Sequence, residues 1–266
     1  MDSALTSNLV SLPQGRLGHA RLYVAWQDPT TRAIEPVGRL DRLCGAPADT
    51  YEFRYLRRAV TLDGFRPFLS FPDLQRTYRS SYLFPLFENR LMPRTRADYP
   101  DFVRALGLGE DADPFEVLAR SEGRRQTDNI EVFPEPTLEG GAVRCLFLVH
   151  GIRHIPGAEE AVDSLAVGER LSIVPDPQNP ADRWAVGLRD GGFRLLGWVP
   201  RYLTELIHRP LEVLGPSAVD VRAEHVGARN GPIHLRLLCQ LHAQWPHAQV
   251  WPFAGPEVEV VSTTDG

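Results

Sequence analysis

Apolar and polar positions alternate through Arg21–Trp26 (RLYVAW) and again at Tyr51, Phe53 and Tyr55, with Arg54 turned to the opposite face. A period of two marks half-buried strands. Val37 to Leu40 follows an Asp28-Pro29 turn, so the chain is predicted to open as a hairpin and to continue as an antiparallel sheet. The period then lengthens. Leu83, Leu86, Phe87 and Leu91 would share a helical face behind Ser80 and Ser81, with Pro85 in the first turn. Asp98 is placed to cap a helix holding Phe102, Val103 and Leu106 and closed by Gly107. Asp113, Pro114 and Glu116 form a capping box ahead of Phe115, Leu118 and Ala119, with Gly123 as terminator and Arg124 and Arg125 as a solvated helix end.

A second strand-rich region follows. FPEPTLEGG (Phe133 to Gly141) reads as a linker, two prolines and then paired glycines. Leu146 to Val149 is an apolar strand broken by Gly151, which delivers Arg153 and His154 into a loop. Leu171 to Val174 and Trp184 to Leu188 are strands around a corner rich in Pro, Asn and Asp. A further strand ends at Gly197, and Pro200 opens a short helix from Tyr202 to Ile207. Polar corners held between strands predict a small β-barrel with a site at its rim. The predicted class is therefore α+β. A domain at 1–136, with an antiparallel sheet and short helices, is joined by a linker at 137–142 to a barrel with one or two helices at 143–243 and a tail at 244–266. Residues up to about Gly18 lack any period and read as a loosely held lead-in.

Composition narrows the function. The 266 residues contain no lysine, so all 29 basic residues are arginine. Walker A, kinase β3 and Schiff-base lysines are excluded within this sequence. A net charge of −5 argues against coating of duplex DNA by bulk electrostatics. Residues 143–243 carry 11 Arg against 11 Asp plus Glu, so nucleic-acid contact there must be local. Cys44, Cys145 and Cys239 lie far apart and read as reduced apolar residues. With no span-length apolar run and no secretion signal, a cytoplasmic protein is expected. No GxSxG, HExxH, GxGxxG or paired-carboxylate motif is present, so neither enzyme activity nor a cofactor is expected. His150 and His154 have i,i+4 spacing, but Gly151 interrupts any helix between them and no metal site is expected.

Two resemblances sharpen this reading. VGRL, YEFRYL, LFPLFENRLMP, RALGL and DPFEVLARSEGR, within about residues 21–136, resemble the N-terminal subdomain of HipA-type toxin kinases; Arg90 and Arg94 depart from that pattern, and the kinase body has no counterpart here. That resemblance implies a subdomain that binds a protein partner. GIRH, DPQNPADRWAV and LGWVPRYL, within about residues 143–243, resemble the HIRAN domain and imply an OB-like barrel that grips the 3′ end of single-stranded DNA. In that likeness Arg153 meets a phosphate, Asp182 accepts from the terminal hydroxyl and Asn179 shapes the corner, while Trp198, Arg201 and Tyr202 add stacking and charge. His154 and Ala181 stand where the family stacks tyrosines, and Trp184 replaces its Asn.

The plainer alternatives are turn formation for Asp176, Asn179 and Asp182, a core position for Trp184 and a surface position for Arg153. The expected function is that of a bacterial, non-enzymatic adaptor, whose barrel binds a single-stranded DNA end through Arg153, His154, Asn179, Asp182, Trp184, Trp198, Arg201 and Tyr202 while the other half binds a protein. The alternative is a protein-interaction factor, such as an antitoxin-like subunit, without DNA binding.

Overall fold

The computed structural model describes residues 19–45, 48–125, 127–180, 182–229 and 231–261. The expected lead-in, Ala181 and the last residues of the tail lie outside them. The first sheet contains β1 (His19–Gln27), β2 (Ile34–Leu43), β3 (Thr50–Tyr55), β4 (Tyr78–Ser80) and β5 (Ile130–Pro134), in the order β4-β3-β2-β1-β5 with antiparallel neighbours. β1 is buried on both faces. Leu22 and Val24 pack into one core with Phe53, Phe87 and Leu118, while Tyr23 and Ala25 pack into another with Phe133 and the second sheet. The alternation expected of RLYVAW is therefore corrected: with both faces buried, Leu22 to Trp26 are apolar without interruption.

Three short helices cover the first core, α1 (Arg57–Thr61), α2 (Pro85–Glu88) and α4 (Pro114–Arg120), while α3 (Tyr99–Ala105) packs Tyr99 and Val103 into a separate cluster with Val117, Leu148 and Leu238. α4 begins as predicted, with Asp113 accepting from the backbone N–H of Phe115 at 2.8 Å and of Glu116 at 3.4 Å. α2 is a single turn, and Pro93 disfavours helical geometry at Met92 before it. Asp98 does not cap α3; both its oxygens take the Arg96 guanidinium at 2.8 Å.

The second sheet contains β6 (Thr137–Glu139), β7 (Ala142–Leu148), β8 (Arg170–Asp176), β9 (Ala185–Arg189), β10 (Leu195–Trp198), β11 (Val219–Val226) and β12 (Leu237–Gln244), in the order β10-β9-β8-β11-β12-β7-β6. α5 (Ala158–Asp163) and α6 (Glu205–Leu214) pack against it. The residues expected as a linker are the β6–β7 hairpin. Gly140 and Gly141 take φ of 57° and 80°, the pair of left-handed residues a tight hairpin turn requires. The predicted barrel is a seven-stranded antiparallel sheet whose ladder does not close. Among the described residues, a single bridge, His150 to Trp198, joins the chain just past β7 to β10.

The two sheets share one core in which Tyr23, Leu56 and Phe133 meet Phe147, Leu188 and Leu241. The expected tail belongs to both sheets. Trp245 and Phe253 enter the shared core, Val260 bridges Leu56, and Val261 donates to the Tyr55 carbonyl at 2.9 Å.

The β9–β10 turn is held by Asp190, which is 3% exposed and accepts from the N–H groups of Gly192 and Arg194 at 3.0 and 2.8 Å and from Arg194 Nε at 2.7 Å. Burial alone would raise its carboxyl pKa, but the Arg194 donors and the Gly192 N–H outweigh it, so the carboxyl titrates below the ordinary value of an aspartate in an unfolded chain. Its stabilising contribution is present above that unfolded value and is lost as pH falls through the depressed native value. Asp190→Ala should lose about 2 kcal/mol at neutral pH, as for a buried charge-assisted hydrogen-bond set. In urea unfolding between pH 6 and 3, the gap between wild type and variant should narrow toward the acid end.

Candidate functional site

The ends of β7, β8 and β10 and the start of β9 lie at one rim of the second sheet, because Asp176 pairs Ala185, Gly187 pairs Trp198 and Trp198 bridges His150. His150 and Trp198 exchange both backbone hydrogen bonds at 2.9 Å. Gly151 then turns the chain at φ 78°, and a Cβ there would lie 2.8 Å from the Trp198 ring, so the position excludes a side chain twice over. Ile152 is buried beneath the short 3-10 turn Ile152–His154, which leaves Arg153 and His154 exposed, with Arg153 Nε 3.0 Å from His154 Nε2.

The β8–β9 corner is a relay of side-chain turns. Asn179 Nδ2 donates to Asp176 at 3.2 Å, Asn179 Oδ1 accepts from the Asp182 N–H at 3.2 Å, and Asp182 Oδ1 accepts from the Trp184 N–H at 2.9 Å. The turn-forming role expected of these residues is thus present. Asp182 also does something more: its second oxygen pairs with Arg201 Nε at 3.0 Å, while Arg201 Nη1 donates to Thr204. Trp184 is 40% exposed rather than in the core, with the Arg183 guanidinium over its ring and the His208 ring edge-on. Trp198 is half-buried against Gly151.

Tyr202 is turned away from this rim. Its ring stacks on Phe133 at 3.8 Å between centroids and its hydroxyl donates to Glu122 at 3.1 Å, so it serves the seam between the sheets and presents no face for stacking a base there. Burial, with the Glu122 and Glu131 charges, pushes its hydroxyl pKa well above the ordinary value. Of the eight residues expected from sequence, seven lie on the three rim loops.

The seam holds a second cluster that sequence reasoning missed. Glu122 and Glu131 are buried there beside His150, whose Nε2 is 2.9 Å from a Glu122 oxygen. Arg124 is exposed, as expected of a helix end, yet it also reaches into this cluster: its Nε lies 3.3 Å from Glu131 and its Nη1 3.3 Å from His150 Nε2. Burial, nearly complete for the two carboxylates and partial for His150, works against charge on all three groups. For Glu122 the His150 contact, Arg124 and the Tyr202 hydroxyl outweigh it and hold the carboxyl below its usual range. At Glu131, burial and the Glu122 charge prevail and raise the carboxyl. For His150 the Glu122 and Glu131 charges overcome burial and raise the imidazole. A cleft of about 250 Å³ runs beside Glu122, lined by Phe133, Cys145, Phe147 and Tyr202 among others. One sequence signal was available, a Glu in the strand EVF that alternates with core residues on both sides.

No family model matches the sequence, and no curated protein matches it significantly. Among solved structures, a Lactobacillus plantarum protein from a structural-genomics programme is 17% identical over 39% of this chain and 97% of its own, with a TM-score of 0.29. The HIRAN domain of human HLTF is a structural neighbour at 16% identity over 40% of this chain and 80% of its own, with a TM-score of 0.28.

Proposed function

We propose that the rim of the second sheet binds the end of a single nucleic-acid strand, as a binding module rather than a catalyst. The observation that carries this reading is the meeting of three separated sequence motifs on adjacent loops: Arg153 and His154, Asn179 to Trp184, and Trp198 to Arg201. Exposed Arg153 offers a fork matched to phosphate oxygens. Asp182 uses one contact per oxygen on protein groups, which leaves acceptor capacity for a terminal hydroxyl. Trp184 is the exposed ring for stacking. The adaptor's protein-binding half has less support. It rests on the sequence resemblance alone, and Phe87 of α2 is fully buried in the first core.

Fluorescence anisotropy with a short single strand ending in a free 3′ hydroxyl or a 3′ phosphate tests this. The free end should bind more tightly, Arg153→Ala should weaken both strands by about tenfold or more, and Asp182→Asn should abolish the preference. Equal affinity for the two ends, or no binding at low salt, would remove the proposal.

A further inference from the structure

We infer that Glu122, Glu131 and His150 bind a divalent first-row transition-metal ion at the seam between the two sheets, with Arg124 giving way to it. This does not depend on the rim's binding nucleic acid.

One donor atom from each of the three residues lies within 4.8 Å of the others, a spacing that a modest inward shift converts to a shared ion. The donors come from three separated segments: Glu122 just after α4, Glu131 in β5 and His150 at the end of β7. Glu122 and Glu131 are only 4% exposed. A second observation is independent of the spacing. Glu131 Oε1 is buried and has no hydrogen-bond partner among the described residues, which a buried carboxylate oxygen rarely tolerates. Two buried carboxylates face a single guanidinium, so a further positive charge must come from a proton or a metal ion. Arg124 is 40% exposed at its side chain and sits 3.3 to 3.8 Å from all three donors, where it competes with an ion yet has solvent to withdraw into. Two carboxylates with one imidazole suit Mn²⁺, Fe²⁺ or Zn²⁺ better than Ca²⁺ or a thiolate-loving ion.

The test uses the full-length protein after chelator treatment, titrated with Zn²⁺ by calorimetry and with Co²⁺ by visible absorption. One ion per chain is expected. Glu131→Gln and His150→Ala should each weaken binding by more than about tenfold. Arg124→Ala, which removes the competitor and no donor, should tighten it and intensify the Co²⁺ bands. His154→Ala, on the exposed loop, should change neither. Should Glu131→Gln or His150→Ala fail to fold, the Arg124→Ala titration decides. Absence of binding, or binding that Arg124→Ala leaves unchanged, overturns the inference and assigns the balancing charge to a proton.

Discussion

Arg90→Met is expected to destabilise the protein by about 3 to 5 kcal/mol, because it removes a buried guanidinium that serves several acceptors through charge-assisted hydrogen bonds. The Arg90 side chain is 1% exposed, and its guanidinium makes a two-point contact with Asp128 at 2.7 and 3.1 Å. The same group donates to the carbonyls of Leu86 at 3.1 Å, Gly123 at 2.8 Å and Ile130 at 3.3 Å. It therefore ties the end of α2 to the terminator of α4 and to the start of β5, three segments with little regular structure of their own. Methionine keeps much of the stem's volume but leaves these carbonyls and Asp128 without their donor. Arg90→Lys should recover only part of the loss, because a point charge with three donors cannot serve four acceptors spread around a planar fork. Urea unfolding monitored by tryptophan fluorescence measures both variants. A loss below about 1 kcal/mol for Arg90→Met would mean that the network contributes no more than a surface pair.

Arg90 also shows where sequence reading stops. In the one-dimensional pattern it interrupts an apolar helix face, and only the fold shows that α4 and β5 bring the matching acceptors. Asp113 is the opposite case. Its capping role was legible because donor and acceptor lie two and three residues apart, so local geometry decides the outcome. The rim belongs between the two. Each motif could be read as a loop at a strand end, and strand pairing then gathered them. What could not be read was which way each side chain turns. Tyr202 and Trp198 occupy one short motif, yet Tyr202 goes to Phe133 in the other half of the chain while Trp198 stays over Gly151. Paired glycines at 140 and 141 signal a tight hairpin as readily as a flexible joint, and the partner strand that distinguishes them is a tertiary fact. The Glu122, Glu131 and His150 cluster was hidden for the same reason: only Glu131, among the apolar residues of its strand, stands out alone, and the seam that joins the three exists only once both sheets have formed.

Gly197→Ala is expected to open the rim and to cost about 3 kcal/mol, the upper end of overpacking penalties, because the obstacle includes backbone. A Cβ at Gly197 would lie 2.5 Å from the His150 carbonyl oxygen and 2.5 Å from Val149 Cγ1. Neither atom can rotate away cheaply: the carbonyl accepts from the Trp198 N–H, and Val149 is buried with its own N–H bonded to Leu237. The added methyl must therefore push β10 from the chain just past β7 at the His150–Trp198 bridge that joins them. Hydrogen exchange is the direct readout, since the amides of His150 and Trp198 bond only across that bridge and should lose protection while those in the β11–β12 pair keep theirs. If Arg153 and Asp182 act together on a strand terminus, separating their loops should also erase the preference for a free 3′ end without removing either side chain. Retained protection at His150 and Trp198 would show that the bridge absorbs the methyl, and the rim's geometry would then rest on the Asp182–Arg201 pair rather than on closure at Gly197.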